Sequence, residues 1–219
     1  MHFTVQNLIN IKNEIKLNLI DLDILNLPKI IAVSKTFKID KILPLIDHGH
    51  IDFGENKIQE AVDKWTEVKS NNSNIKLHMI GKLQSNKVKF AVKLFDYIHS
   101  VDSQKLAKKI ADEQKKINKR IKIFIQVNIG NEDQKSGIYK TELDDLVLYC
   151  KKINLNVVGL MCIPPADEDS SAYFKEIKLL NNSFGFTELS MGMSSDFIEA
   201  SKNSATYLRI GSRIFGERL

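Results

Sequence analysis

Cysteine is scarce in this sequence. Its 219 residues hold two, Cys150 and Cys162, too few for a disulfide framework, so a reducing, cytoplasmic setting is expected. Long apolar runs are missing as well. Charge interrupts every hydrophobic stretch, which argues against a membrane-spanning helix. The opening segment, MHFTVQNLINIKNEIKLNL, mixes Lys, Glu and Asn into its apolar positions. It reads as an amphipathic helix over residues 1–20, not as a secretory leader, which needs an unbroken apolar stretch. No stretch rich in Pro, Gly or Ser marks a linker, so one domain is expected over 1–219. No G-x-G-x-x-G follows the first strand, and neither a Walker loop nor a G-x-S-x-G elbow occurs. Dinucleotide, P-loop and α/β-hydrolase readings lose their support.

What is present is a globular composition, 43% hydrophobic, with a net charge of +5. The lysines are interleaved with acids, as in AKKIADEQKKINKR, and read as solvated helix faces instead of a nucleic-acid surface. Apolar runs of strand length fall at 29–35, 51–56, 76–81, 97–101, 122–128, 156–163, 187–192 and 207–215. Helical patterns separate them. Asp40, Ser85, Ser103, Thr141 and Asp169 or Ser170 are placed to cap these helices. In 57–69, Ile58, Ala61, Val62 and Trp65 share one face. Eight strands alternating with helices predict a parallel sheet closed into a (β/α)8 TIM barrel over 29–216, with an extra N-terminal helix. An open doubly wound sheet is the alternative. Little sequence follows the eighth strand, so the N-terminal helix is expected to cover the place of the usual last helix.

Active residues of such barrels gather at the C-terminal strand ends. There IIAVSKT brings Ser34 and Lys35 out of an apolar strand. A lysine there can simply extend into solvent. It can also trap an aldehyde, provided its pKa, ordinarily about 10.4, is lowered by desolvation or a nearby cation. The last two strand ends, SMGMSSD and LRIGSRIFG, supply Ser190, Gly192, Ser194, Gly211 and Ser212, whose amides and hydroxyls suit a phosphate. An amine facing a phosphate grip points to pyridoxal 5′-phosphate. The HGH at 48–50 reads as a turn without metal-ligand support, Cys162 as core, and NEDQKSG lacks calcium-loop spacing.

Seven motifs in order, AVSKT, FGEN..QE, HMIGKLQSNK, QVNIGNEDQKSG, GLMCIPP, LSMGMSSDF and LRIGSRIFG, resemble the YggS/PROSC family of pyridoxal phosphate homeostasis proteins from about residue 30 to residue 216. The resemblance implies a barrel of the alanine racemase N-terminal domain type that binds the cofactor. It implies a Schiff base at Lys35, with Asn56 near the cofactor and His78 in the signature segment. Ser190, Met191 and Gly192 would line the phosphate side, Gly211 and Ser212 would hold the phosphate, and Arg209 would face the pyridine nitrogen. Leu77, Lys82, Lys57 and Arg213 depart from the family pattern. Arginine can only donate, so the ring nitrogen would stay unprotonated and the cofactor would be a weak electron sink. The sequence stops at Leu219, and the resemblance to racemases supplies no second-domain tyrosine. A monomeric carrier that holds the cofactor and passes it to apo-enzymes is the expectation. A racemase-like enzyme and a basic nucleic-acid-binding module are the alternatives.

Overall fold

The computed structural model describes residues 1–20 and 26–217. Residues 21–25 and 218–219, all inside the domain expected over 1–219, lie outside the described residues. Eight strands, β1 (Lys29–Val33), β2 (Asp52–Glu55), β3 (Lys76–Met79), β4 (Tyr97–Val101), β5 (Lys122–Val127), β6 (Val157–Cys162), β7 (Glu188–Ser190) and β8 (Tyr207–Ile210), pair in parallel and in sequence order. Pairing of β1 with β8, Ile31 against Arg209, closes the barrel. The helices are α1 (Phe3–Leu19), α2 (Leu43–Asp47), α3 (Ile58–Asn71), α4 (Val88–Leu94), α5 (Gln104–Lys116), α6 (Leu143–Lys152), α7 (Ser170–Ser183), α8 (Phe197–Lys202) and α9 (Ser212–Phe215).

Alternation along each strand divides the core in two. Ile31, Val33, Tyr97, Phe124, Met161 and Tyr207 cluster inside the barrel. Ile30, Ala32, Phe53, Leu77, Ile98, Ile125, Leu208 and Ile210 belong to the larger cluster that the helices cover. On α3 the expected face forms, with Ile58, Ala61 and Trp65 buried and Val62 packed beside them.

The eighth strand is shorter than the sequence suggests. It ends at Ile210, and 212–215 form α9, which buries Ile214 and Phe215. A run of apolar residues that is buried on one side only does not distinguish a strand from a single helical turn. The helix α1 packs on α2, α8 and α9, covering that part of the barrel wall. Asn7 Nδ2 donates to Ile214 O at 3.0 Å, and Arg213 reaches Glu14 at 2.7 Å.

Ser103 and Asp169 cap α5 and α7 through Leu106 N and Ser171 N. Asp40, Ser85 and Thr141 do not cap. Each lies in a 3-10 turn that precedes its α-helix, where the backbone closes its own bonds.

Candidate functional site

At the C-terminal ends of the strands lies a cavity of about 640 Å³. The pleat that places Ile31 and Val33 inside the barrel carries Lys35 to the same side, and Lys35 lines the cavity. Asn56 continues β2, Ile80 and Gly81 continue β3, and Ile163 continues β6. Met193, Ser194 and Ser195 follow β7, and Gly211 and Ser212 follow β8. Arg209 lines the cavity although it is only 5% exposed. Another cavity, of about 430 Å³, is lined by Lys115, Lys119, Arg120 and Asn154 at the ends of α5 and α6. It contains none of the strand-end motifs.

Arg209 ends a chain of hydrogen bonds that runs through the barrel. Its Nη2 donates to Cys162 O at 2.9 Å and its Nη1 to Ser190 Oγ at 2.8 Å. Ser190 Oγ is 2.9 Å from His99 Nδ1, His99 Nε2 is 3.0 Å from His78 Nδ1, and His78 Nε2 is 3.0 Å from Asp52 Oδ1. The chemistry of its ends fixes the sense of this chain. A guanidinium only donates and a carboxylate accepts. His78 therefore carries its proton on Nε2, His99 also on Nε2, and the Ser190 hydroxyl donates to His99. Burial is the main cause that lowers both imidazoles from their ordinary value, with Asp52 opposing it at His78 and with His78 and Arg209 reinforcing it at His99. Both rings are neutral, as this arrangement requires. Burial also lowers Arg209 from its ordinary value, and no carboxylate pairs with it among the described residues.

Residues 17–219 match the family model for the alanine racemase N-terminal domain. A pyridoxal phosphate homeostasis protein of Haemophilus influenzae is 38% identical over 205 residues, covering 88% of this chain and 86% of the relative. The chain belongs to the YggS/PROSC family. Among solved structures, PipY of Synechococcus elongatus with PLP bound aligns with a TM-score of 0.80 at 31% identity, over 92% of this chain and all of PipY. An alanine racemase of Clostridium difficile aligns with a TM-score of 0.71 at 16% identity, over 99% of this chain and 57% of the racemase; it shares the fold.

In this YggS/PROSC family member the residues singled out by sequence fall into two groups. Lys35, Asn56, Arg209, Gly211 and Ser212 surround the cavity. His78, Ser190, Met191 and Gly192 do not line it. His78 and Ser190 lie in the barrel interior, where they support Arg209. Met191 is on the outer face of the sheet, in the cluster that the helices cover. Gly192 has φ +86, and a Cβ there would fall 2.5 Å from Ala200 Cβ and 2.9 Å from Leu208 Cδ2. It lets α8 approach the barrel closely.

Sequence reading did not single out Asp52 or Ser195, nor Glu217 at the cavity rim, and it placed His99 only among the polar strand-end residues expected to form a pocket, whereas His99 lies in the barrel interior. Inward alternation along β2 and β4 is the one signal that could have found Asp52 and His99. The QKSG segment now has a physical account. Ile138 bridges to Val127 beside β5, and Asn128 N donates to Ile138 O at 2.9 Å. Gly137, at φ +124, has no room for a Cβ, which would fall 2.6 Å from Asn128 N. Lys135 Nζ donates to Pro164 O at 3.1 Å, joining this segment to the loop after β6. Burial pushes the Cys162 thiol up to about 12, so it is not a nucleophile at neutral pH.

The buried histidines predict acid sensitivity. Each has a folded-state pKa below its unfolded value, so its contribution to stability is complete above about 6.5 and is lost as pH falls below that. The loss is about 1.4 kcal/mol per pH unit for each ring that stays neutral. Urea midpoints should fall steadily between pH 7 and pH 5, above the range where carboxylates titrate. A flat profile would contradict two neutral rings.

Proposed function

We propose that this chain binds pyridoxal 5′-phosphate as a Schiff base on Lys35, in a role in vitamin B6 homeostasis without robust catalytic turnover. The observation that carries the reading is one cavity with an amine on one side and glycine-serine strand ends on the other. The residues present fit the group. Asn56 Oδ1 is buried with no hydrogen-bond partner among the described residues, and Arg209 uses two of its five donors on Ser190 and Cys162 O. The first-turn amides of Ser212 and Arg213 have no partner inside the short α9. The homologues' names and the PLP-bound PipY structure support the same cofactor.

When bound, pyridoxal 5′-phosphate supplies an aldehyde that condenses with a neutral primary amine, a C=N bond forming as water leaves. Lys35 provides that amine. Gly211, Ser212 and Ser194 would hold the anionic tail, and Arg209, which also lines the cavity, would donate to the ring nitrogen without protonating it. This favours holding and releasing the cofactor over stabilising a carbanion. Apo-enzymes that use the cofactor are the proposed recipients, and a cytoplasmic monomer of one barrel domain is the proposed form.

Titration with pyridoxal 5′-phosphate, followed by the Schiff-base absorption band, tests the reading. Saturable appearance of the band is expected, and its absence at millimolar cofactor would end the proposal. A racemisation assay on the loaded protein separates it from the racemase-like alternative. Handover is tested by mixing loaded protein with an apo-enzyme and a free-aldehyde trap. Activation no faster than the trap allows would exclude direct transfer.

A further inference from the structure

The residues behind Lys35 form a second constellation, on the opposite face of the sheet from the cavity. Ser34 is fully buried, and its hydroxyl donates to Glu55 Oε1 at 2.8 Å. Lys64, on α3, directs its three protons to three acceptors: Ser34 O at 2.8 Å, Glu55 Oε1 at 2.9 Å and Glu60 Oε1 at 2.9 Å. Trp65 Nε1 adds a third donor to Glu55 Oε1 at 2.9 Å, beside Ser34 Oγ and Lys64 Nζ. On the other flank, Thr36 N donates to Glu60 Oε1 at 2.5 Å. One cation and one carboxylate on α3 thus bracket the residue that carries the amine, gripping the carbonyl before it and the amide after it.

The bracketed segment is a turn. Phe37 N donates to Ser34 O at 3.2 Å, which places Lys35 and Thr36 at the two central positions. Thr36 has φ +70. The second central position of such a turn with positive φ ordinarily takes glycine or asparagine. A β-branched residue there is strained and persists only where its surroundings hold it. Phe37, stacked on Phe215 with centroids 5.0 Å apart, fixes the far end of the turn.

We infer that Lys64 and Glu60 are positioning residues for the Schiff-base lysine, holding the strained Lys35–Thr36 turn so that the amine faces the cavity. Neither residue lines the cavity. They act through the backbone. This inference rests on the reading of Lys35 above, so it is tested first in cofactor-free protein and then with cofactor.

Lys64→Met leaves Glu55 buried without its cation and threatens folding, so the decisive variant is Glu60→Ala, whose carboxylate side chain is 26% exposed. Hydrogen exchange at the Thr36 amide in cofactor-free Glu60→Ala should quicken by about tenfold or more, with exchange in β1 and β2 unchanged. With pyridoxal 5′-phosphate, the rate of Schiff-base formation should fall by about tenfold while the folded fraction is preserved. Thr36→Gly introduced into Glu60→Ala should restore most of that rate, because glycine adopts φ +70 without strain. A purely structural role for Glu60 would give no such rescue. Unchanged exchange at Thr36, an unchanged rate, or a lost rate that glycine does not recover would each overturn the inference. If the wild-type protein forms no Schiff base, the function proposal fails, and Thr36 exchange alone decides whether the bracket holds the turn.

Discussion

Lys35→Ala should abolish the Schiff-base absorption band and any borohydride-stable adduct with pyridoxal 5′-phosphate. The residual affinity would come from the phosphate contacts at Gly211, Ser212 and Ser194 and from Arg209. A drop of at least about a hundredfold is expected, equivalent to roughly 2.7 kcal/mol. The variant should stay folded, because Lys35 is half-buried at the cavity wall and belongs to neither apolar cluster, and a urea midpoint checks this. Lys35→Arg should fail equally. It keeps the charge and the length, but a guanidinium does not give up the proton that condensation requires. Persistence of the band in either variant would move the linkage to another lysine.

Gly192→Ala should destabilise the fold strongly. The position is left-handed, at φ +86, and a methyl group there meets Ala200 Cβ at 2.5 Å, Leu208 Cδ2 at 2.9 Å and the Phe197 backbone at 3.3 Å. The left-handed conformation costs an alanine roughly 1–2 kcal/mol and overpacking costs about 1–3 kcal/mol more. A loss of about 2–5 kcal/mol is therefore expected, read as a lowered urea midpoint at unchanged slope. Gly192 O also accepts from Arg209 N at 2.9 Å, and the next three residues line the cavity, so cofactor affinity should weaken as well. A variant with wild-type stability would show that α8 can retreat from the barrel at little cost.

Eight β-rich runs, their helical spacers and the absence of a dinucleotide loop were enough to read a closed barrel, and β1–β8 all fall on the expected runs. The error at β8 was one of length, because Ile214 and Phe215 are as apolar as strand residues although they sit in α9. Lys35 was legible from its place just past the end of an apolar strand: β1 stops at Val33 and the turn that follows puts Lys35 at the cavity wall. Ser190, Met191 and Gly192 are adjacent in one motif, yet the pleat sends Ser190 inward and Met191 outward, and the chain turns at Gly192. A motif read as one block could not separate these three fates. Lys64 was invisible and Glu60 was seen only as the last residue of the FGEN..QE motif, because their significance lies in contacts made 24 to 30 residues away along the chain. Helical periodicity marks both as solvent-side positions. The His99–Ser190 contact spans 91 residues, so alternation along β4 could point His99 inward but could not name its partner.

The succession of donors from Arg209 down to Asp52 has only one self-consistent arrangement of protons. Reversing it would require both imidazoles to switch tautomer together, with the serine hydroxyl turning as well. The carboxylate of Asp52 thus fixes which way each ring proton and the serine hydroxyl point, all the way up to the guanidinium beside the cavity.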